Sequence, residues 1–82
     1  MERDEVVKIV NEFLVEEIEV DEEVIAPDAN IKDDLEIDSL DFVDIVVIVE
    51  KAFGFKIKQE EMVNVSTLNN FYDYIYDKVN NS

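Results

Sequence analysis

From Ser39 to Phe53 the chain runs without a glycine, proline or asparagine, and this stretch constrains the fold more than any other. Its residues Val43, Ile45, Val46, Val47, Ile48 and Val49 are β-branched and would suit a buried strand. Length and spacing argue for a helix instead. Strands typically end after about five or six residues, whereas Val43, Val46, Val49 and Phe53 recur at intervals of 3, 3 and 4, near the period of a helical face. Asp41 and Asp44 fall one helical step apart on another face. Asp38 with Asp41 three residues on reads as an N-cap and its N3 acid, and Gly54 reads as the residue that stops the helix. A helix over residues 38–53 is predicted.

Two further helices follow from the same periodicity. Val6, Ile9, Val10, Phe13 and Leu14 lie on one face of a first helix, with Glu2, Glu5, Lys8, Glu12 and Glu16 opposite. Leu68, Phe71, Tyr72, Ile75 and Val79 define a last helix, with Ser66 and Thr67 as potential caps and fraying expected at Asn80, Asn81 and Ser82. Residues 19–30 hold no base, include Pro27, and read as a long loop into which Val20, Val24 and Ile31 tuck. A short helical turn at 59–63 links the second main helix to the last. The expected architecture is all-α: a single domain over residues 1–82, with its folded core at about 4–79. It is a small four-helix bundle, three main helices plus one short one, with a long loop between the first and second. Ile9, Phe13, Val46, Val49, Phe53, Leu68, Phe71 and Ile75 are its predicted core.

Charge narrows the function. The 82 residues carry 22 acids against 7 bases, a formal net charge of −15, so a nucleic-acid phosphate backbone would be repelled rather than bound. An anionic membrane surface is disfavoured for the same reason, and no apolar run approaches the ~18 residues of a membrane span. Met1 is followed by Glu2 rather than a basic, then apolar, leader, so a cytoplasmic location is expected. Without cysteine or histidine the chain has no thiolate nucleophile, no disulfide and no usual metal ligand or general base; no metal site and no catalytic residue is assigned. A domain this small has little room for both a core and a deep catalytic cleft.

The most informative segment is Asp33-Asp34-Leu35-Glu36-Ile37-Asp38-Ser39-Leu40-Asp41, a serine between acids at the start of an apolar helix. The ordinary account of such a serine is an N-terminal helix residue beside an aspartate cap. In its context the segment resembles the Asp-Ser-Leu attachment motif of the acyl carrier protein family. The resemblance extends over nearly the whole chain, through Val6-Val7-Lys8-Ile9-Val10, Ala29-Asn30-Ile31, Phe53-Gly54-Phe55-Lys56-Ile57 and Tyr72-Asp73-Tyr74-Ile75.

This resemblance implies that Ser39 carries a 4′-phosphopantetheine arm taken from coenzyme A by a phosphopantetheinyl transferase. The arm's thiol would hold an acyl group as a thioester and present it to acyl-loading and acyl-processing enzymes of fatty-acid or related lipid or polyketide synthesis. The chain would then be a non-enzymatic carrier, expected to be a monomer. The attached phosphate would lie near unpaired N–H groups at the helix N-terminus. Glu36, Asp38, Leu40, Asp41, Asp44 and Val47 are the expected partner-recognition residues, facing basic docking surfaces. The ordinary account of the acids is dipole complementation and a solvated face, and that of Phe42, Val47 and Ile48 is core; a helix apolar on so many sides cannot bury all three.

Two positions depart from the family pattern. Glu36 stands where fatty-acid carriers often have glycine, which suggests a different backbone entry into the helix, and Lys51 stands where a further acid is common. Within the carrier class a D-alanyl or aminoacyl carrier is the nearest alternative, and outside it an unmodified acidic adaptor. A calcium loop starting at Asp28 fails, because Lys32, Asp33 and Ser39 occupy positions that need a ligand, a glycine and a glutamate. A carboxylate-pair hydrolase would need acids facing one another across a cleft.

Overall fold

In a computed structural model that describes residues 1–81, the chain forms three α-helices, α1 (Arg3–Glu16), α2 (Ser39–Phe53) and α3 (Leu68–Asn81). A 3-10 helix, Gln59–Asn64, links α2 to α3, and one 3-10 turn, Glu22–Val24, interrupts the long connection between α1 and α2. The all-α bundle expected from periodicity is therefore present. Among the described residues no helix is long and apolar enough to cross a membrane.

Local chemistry places the helix ends. Asp38 caps α2 by accepting from the Leu40 and Asp41 amides at 3.0 and 2.9 Å, and Gly54 ends it at φ 81°, a left-handed conformation that costs glycine little. Thr67 Oγ1 caps α3 by accepting from the Asn70 amide. The fraying expected at Asn80 and Asn81 is not seen. Their side-chain amides donate back to the Tyr76 and Asp77 carbonyls, which satisfies acceptors that the last turn otherwise leaves open; Ser82 lies outside the described residues.

α1 packs along α3, and their contact is reinforced outside the core by Arg3, whose guanidinium bonds Asp73 and Asn69 and lies over the Tyr72 ring. Tyr72, itself buried, donates its hydroxyl to Asn11 on α1, and burial pushes its phenol above the ordinary value. One apolar cluster joins Val6, Val10, Phe13 and Leu14 of α1 to Ile45 and Val49 of α2 and to Leu68, Phe71, Tyr72 and Ile75 of α3. Among the described residues no charged side chain is buried and no buried side-chain polar atom lacks a partner.

The predicted core is buried at its centre and half-buried at its edges. Phe13, Val49, Leu68, Phe71 and Ile75 are buried; Ile9, Val46 and Phe53 are half-buried against them. Val43, which shares the 3, 3, 4 spacing with Val46, Val49 and Phe53 but lies outside the predicted core, is 60% exposed. A step of three residues falls about 60° short of a full helical turn, so two such steps from Val49 carry Val43 off the buried face. In the connection, Val20 is buried and Ile31 half-buried, but Val24 is exposed on its 3-10 turn. Ala29, Leu35 and Ile37 supply the apolar contacts there instead.

The 3-10 helix is tied to α3 by polar contacts. Lys78 Nζ lies 3.0 Å from Glu61, whose carboxylate also accepts from the Tyr74 hydroxyl at 3.1 Å. The Lys78 contact, followed by the Tyr74 bond, holds the Glu61 carboxyl below its ordinary value, and the same pairing holds Lys78 above its own. The stabilisation is thus complete near neutrality. It is lost as pH falls through the depressed Glu61 value and as pH rises through the raised Lys78 value. Urea denaturation across pH should show the acid limb weakened in Glu61→Gln; an unchanged acid limb would assign it to other carboxylates.

Candidate functional site

The site is assembled by the turn that delivers the chain to α2. Asn30 organises it: its side-chain oxygen accepts from the Lys32 and Asp33 amides at 3.0 Å, and its own amide donates to Asp34 at 2.7 Å. This turn is pinned across the fold to the entry of α3. The Ile31 amide donates to the Ser66 carbonyl at 2.9 Å, and the Leu68 and Asn69 amides donate to the Ala29 and Pro27 carbonyls at 3.0 and 2.8 Å. The orphan amides at the start of α3 thereby fix the loop that precedes α2.

Leu35 and Ile37 turn inward and are buried, which leaves Glu36 between them outside. Glu36 has φ 55°, a left-handed conformation. The backbone at Glu36 is thus one that glycine would adopt at little cost. A side chain in this conformation costs about 1–2 kcal/mol, against which glycine's greater freedom in the unfolded chain weighs about 0.5–1 kcal/mol. Glu36→Gly should therefore raise stability by up to ~1 kcal/mol in urea titrations at fixed salt. Glu36→Gln separates backbone from charge: if it stabilises as much as glycine, repulsion rather than φ is the cause.

Ser39 is the first residue of α2, exposed, and among the described residues its hydroxyl has no hydrogen-bond partner. Nothing in the fold needs this hydroxyl, so it is free to be modified. Three of the N–H groups at the start of α2 that could receive a phosphate are already engaged. Asp38 holds the Leu40 and Asp41 amides with its carboxylate and the Phe42 amide, at 3.0 Å, with its carbonyl. A phosphate on Ser39 would feel the helix dipole but would lie beside a carboxylate, in solvent rather than in an amide cradle.

The residues around Ser39 divide by face. Leu40 is 77% and Val47 45% exposed; with Val43 they leave an apolar ridge on the outside of α2. Asp38, Asp44 and Glu36 are exposed nearby, and Asp41 is half-buried. Of the three apolar residues weighed between core and surface, only Val47 is exposed, whereas Phe42 and Ile48 are half-buried. Residues 33–50 contain seven acids and no base, and neither ion pair among the described residues falls in this segment. Sequence reasoning missed Leu35, Ile37 and Asn30 as the supports of the site, because none has a periodic signal.

Behind α2 an apolar crevice lined by Ile37, Phe42, Ile45, Met62 and Phe71 has about 10 Å³ of free volume. That is about the space of one water molecule, so this crevice as it stands does not hold a long flexible group.

The chain is similar to known proteins over most of its length. A family described as "Phosphopantetheine attachment site" matches residues 8–75. The chain is similar to the acyl carrier protein of Rubrobacter xylanophilus, at 35% identity over 94% of this chain and 95% of the relative. It is similar to that of Syntrophobacter fumaroxidans at 41% identity over 84% of each. A shorter match, 48% identical over 63% of this chain and 56% of the relative, is to the acyl carrier protein AcpXL of Brucella melitensis.

Proposed function

The chain belongs to the acyl carrier protein family, whose phosphopantetheine prosthetic group it shares, and we propose that Ser39 is the residue that bears that group. The observation that carries the assignment is an exposed, unbonded hydroxyl at the first position of α2, within the matched residues and between Asp38 and Leu40. The group supplies a thiol that holds an acyl chain as a thioester on many rotatable bonds. The protein's own residues position and advertise it. Asp38 keeps the first turn of α2 formed, Leu35 and Ile37 anchor the turn before it, and the ridge of Leu40 and Val47 offers apolar contact to a docking enzyme.

On this reading the chain is a non-catalytic carrier and a monomer in solution, serving fatty-acid or related lipid or polyketide synthesis in the cytoplasm. Its partners are a phosphopantetheinyl transferase and enzymes that load and process the acyl group. Glu36, Asp38, Asp41 and Asp44 draw their basic surfaces toward Ser39. Intact-mass measurement of the protein from its native host tests the reading: one arm is expected, and any further mass identifies the acyl class. A mass equal to the bare chain would favour an unmodified adaptor, and an aminoacyl increment would favour the aminoacyl carrier.

Steering by the acids has its own test. Reversing Asp41 and Asp44 to lysine should slow arm transfer through association, with a deficit that shrinks as salt rises. Equal rates at low salt, with both proteins folded, would reduce the acids to solvation.

A further inference from the structure

Looking down α2 at about 100° per residue, Leu40, Asp44, Val47 and Lys51 fall within one narrow stripe. It lies opposite Ile45 and Val49, which are buried. All four stripe residues are exposed, and among the described residues Lys51 makes no ion pair. The stripe is electrically polar. Its Ser39 end is flanked by acids and its far end closes with Lys51, the first base after the seven acids of residues 33–50.

At ~1.5 Å of rise per residue, Lys51 stands about 10 Å beyond Asp44 and about 18 Å beyond Ser39. We propose that Lys51 fixes the direction in which the phosphopantetheinyl transferase that serves this chain docks on α2, by pairing with an acidic group on that enzyme. The proposal rests on the reading of Ser39 above. Coenzyme A is a polyanion, so the transferase must present cations where its donor meets Ser39, and these suit the acids at that end. A surface that stayed basic for a further 10 Å would set a cation against Lys51. A surface ending in an acid pairs with the whole stripe, and laying α2 on it backwards sets like charges against like. The ordinary role of a lysine in the last turn of a helix, complementing the dipole, acts on stability and not on association with a partner.

The test uses the full chain, coenzyme A, magnesium and the transferase of the source organism, with arm addition followed by mass. Lys51→Glu is expected to lower kcat/KM at least fivefold at low salt, with the deficit closing toward 0.5 M salt, and Lys51→Arg to retain the wild-type rate. Asp44→Lys is expected to show the same salt signature. Melting temperatures establish that each variant is folded. A Lys51→Glu protein modified as fast as wild type or faster would overturn the proposal, since an added acid would then only strengthen a uniform acidic face. A deficit independent of salt would overturn it as well. If wild type itself takes no arm, the assignment of Ser39 fails and the role of Lys51 fails with it.

Discussion

Ser39→Ala should abolish arm addition completely while leaving the protein folded. Wild-type chain incubated with coenzyme A, magnesium and a broad-specificity phosphopantetheinyl transferase should gain one arm by mass, and the alanine variant none. The fold has no reason to notice the change. The Ser39 hydroxyl is exposed and unbonded, and the cap of α2 belongs to Asp38, whose bonds to the Leu40 and Asp41 amides remain. Melting temperature should therefore be unchanged, which separates loss of the acceptor from loss of structure. Ser66 is the control, because it is also exposed and near a helix start but lies against the loop of residue 31 through its carbonyl. Ser66→Ala should be modified like wild type. An arm on the Ser39→Ala protein would refute the assignment.

The second large effect is on stability. Phe71 and Val49 are 2% and 0% exposed and belong to the one apolar cluster that joins all three α-helices. Phe71→Ala should cost about 3–5 kcal/mol and Val49→Ala about 2 kcal/mol, the lost burial together with an unfilled cavity. A domain of this size has roughly 4–12 kcal/mol in all, so Phe71→Ala should be largely unfolded near the lower limit. The reserve is further reduced by charge: a net −15 with two ion pairs among the described residues is self-repelling. Screening to about 10 Å at 0.1 M should raise the melting temperature of wild type and recover part of the loss in Val49→Ala. Urea denaturation followed by circular dichroism checks the first, and thermal melts over a salt series check the second. A Phe71→Ala protein as stable as wild type would place the core elsewhere.

The segments read correctly from sequence were those governed by interactions within a few residues. The ends of α2 follow from a carboxylate reaching two and three residues along the chain and from a glycine at positive φ. The buried faces of α1 and α3 follow from side chains that recur on one side of a helix. Where the pattern was ambiguous, spacing alone did not separate buried from exposed positions. Val43 and Val49 belong to the same run of valines, yet only Val49 is buried, because the rotation of α2 about its axis depends on what packs behind it.

The amino-acid sequence by itself determined that this is a helical, acidic chain with a serine at the start of an apolar helix, in a segment that resembles a carrier's attachment motif. Its periodicity, its caps and its Asp-Ser-Leu segment act over short separations and need no other part of the fold. Tertiary structure alone decided how that serine is presented. Ala29, Leu35, Ile37 and Ile57 are buried without any periodic signal, because loops are packed by whatever crosses them. The entry to α2 is held by the entry to α3, through hydrogen bonds such as that from the Leu68 amide to the Ala29 carbonyl. Glu36 takes φ 55° between two residues that are both buried, and neither their burial nor that conformation carries a signal in the sequence around it.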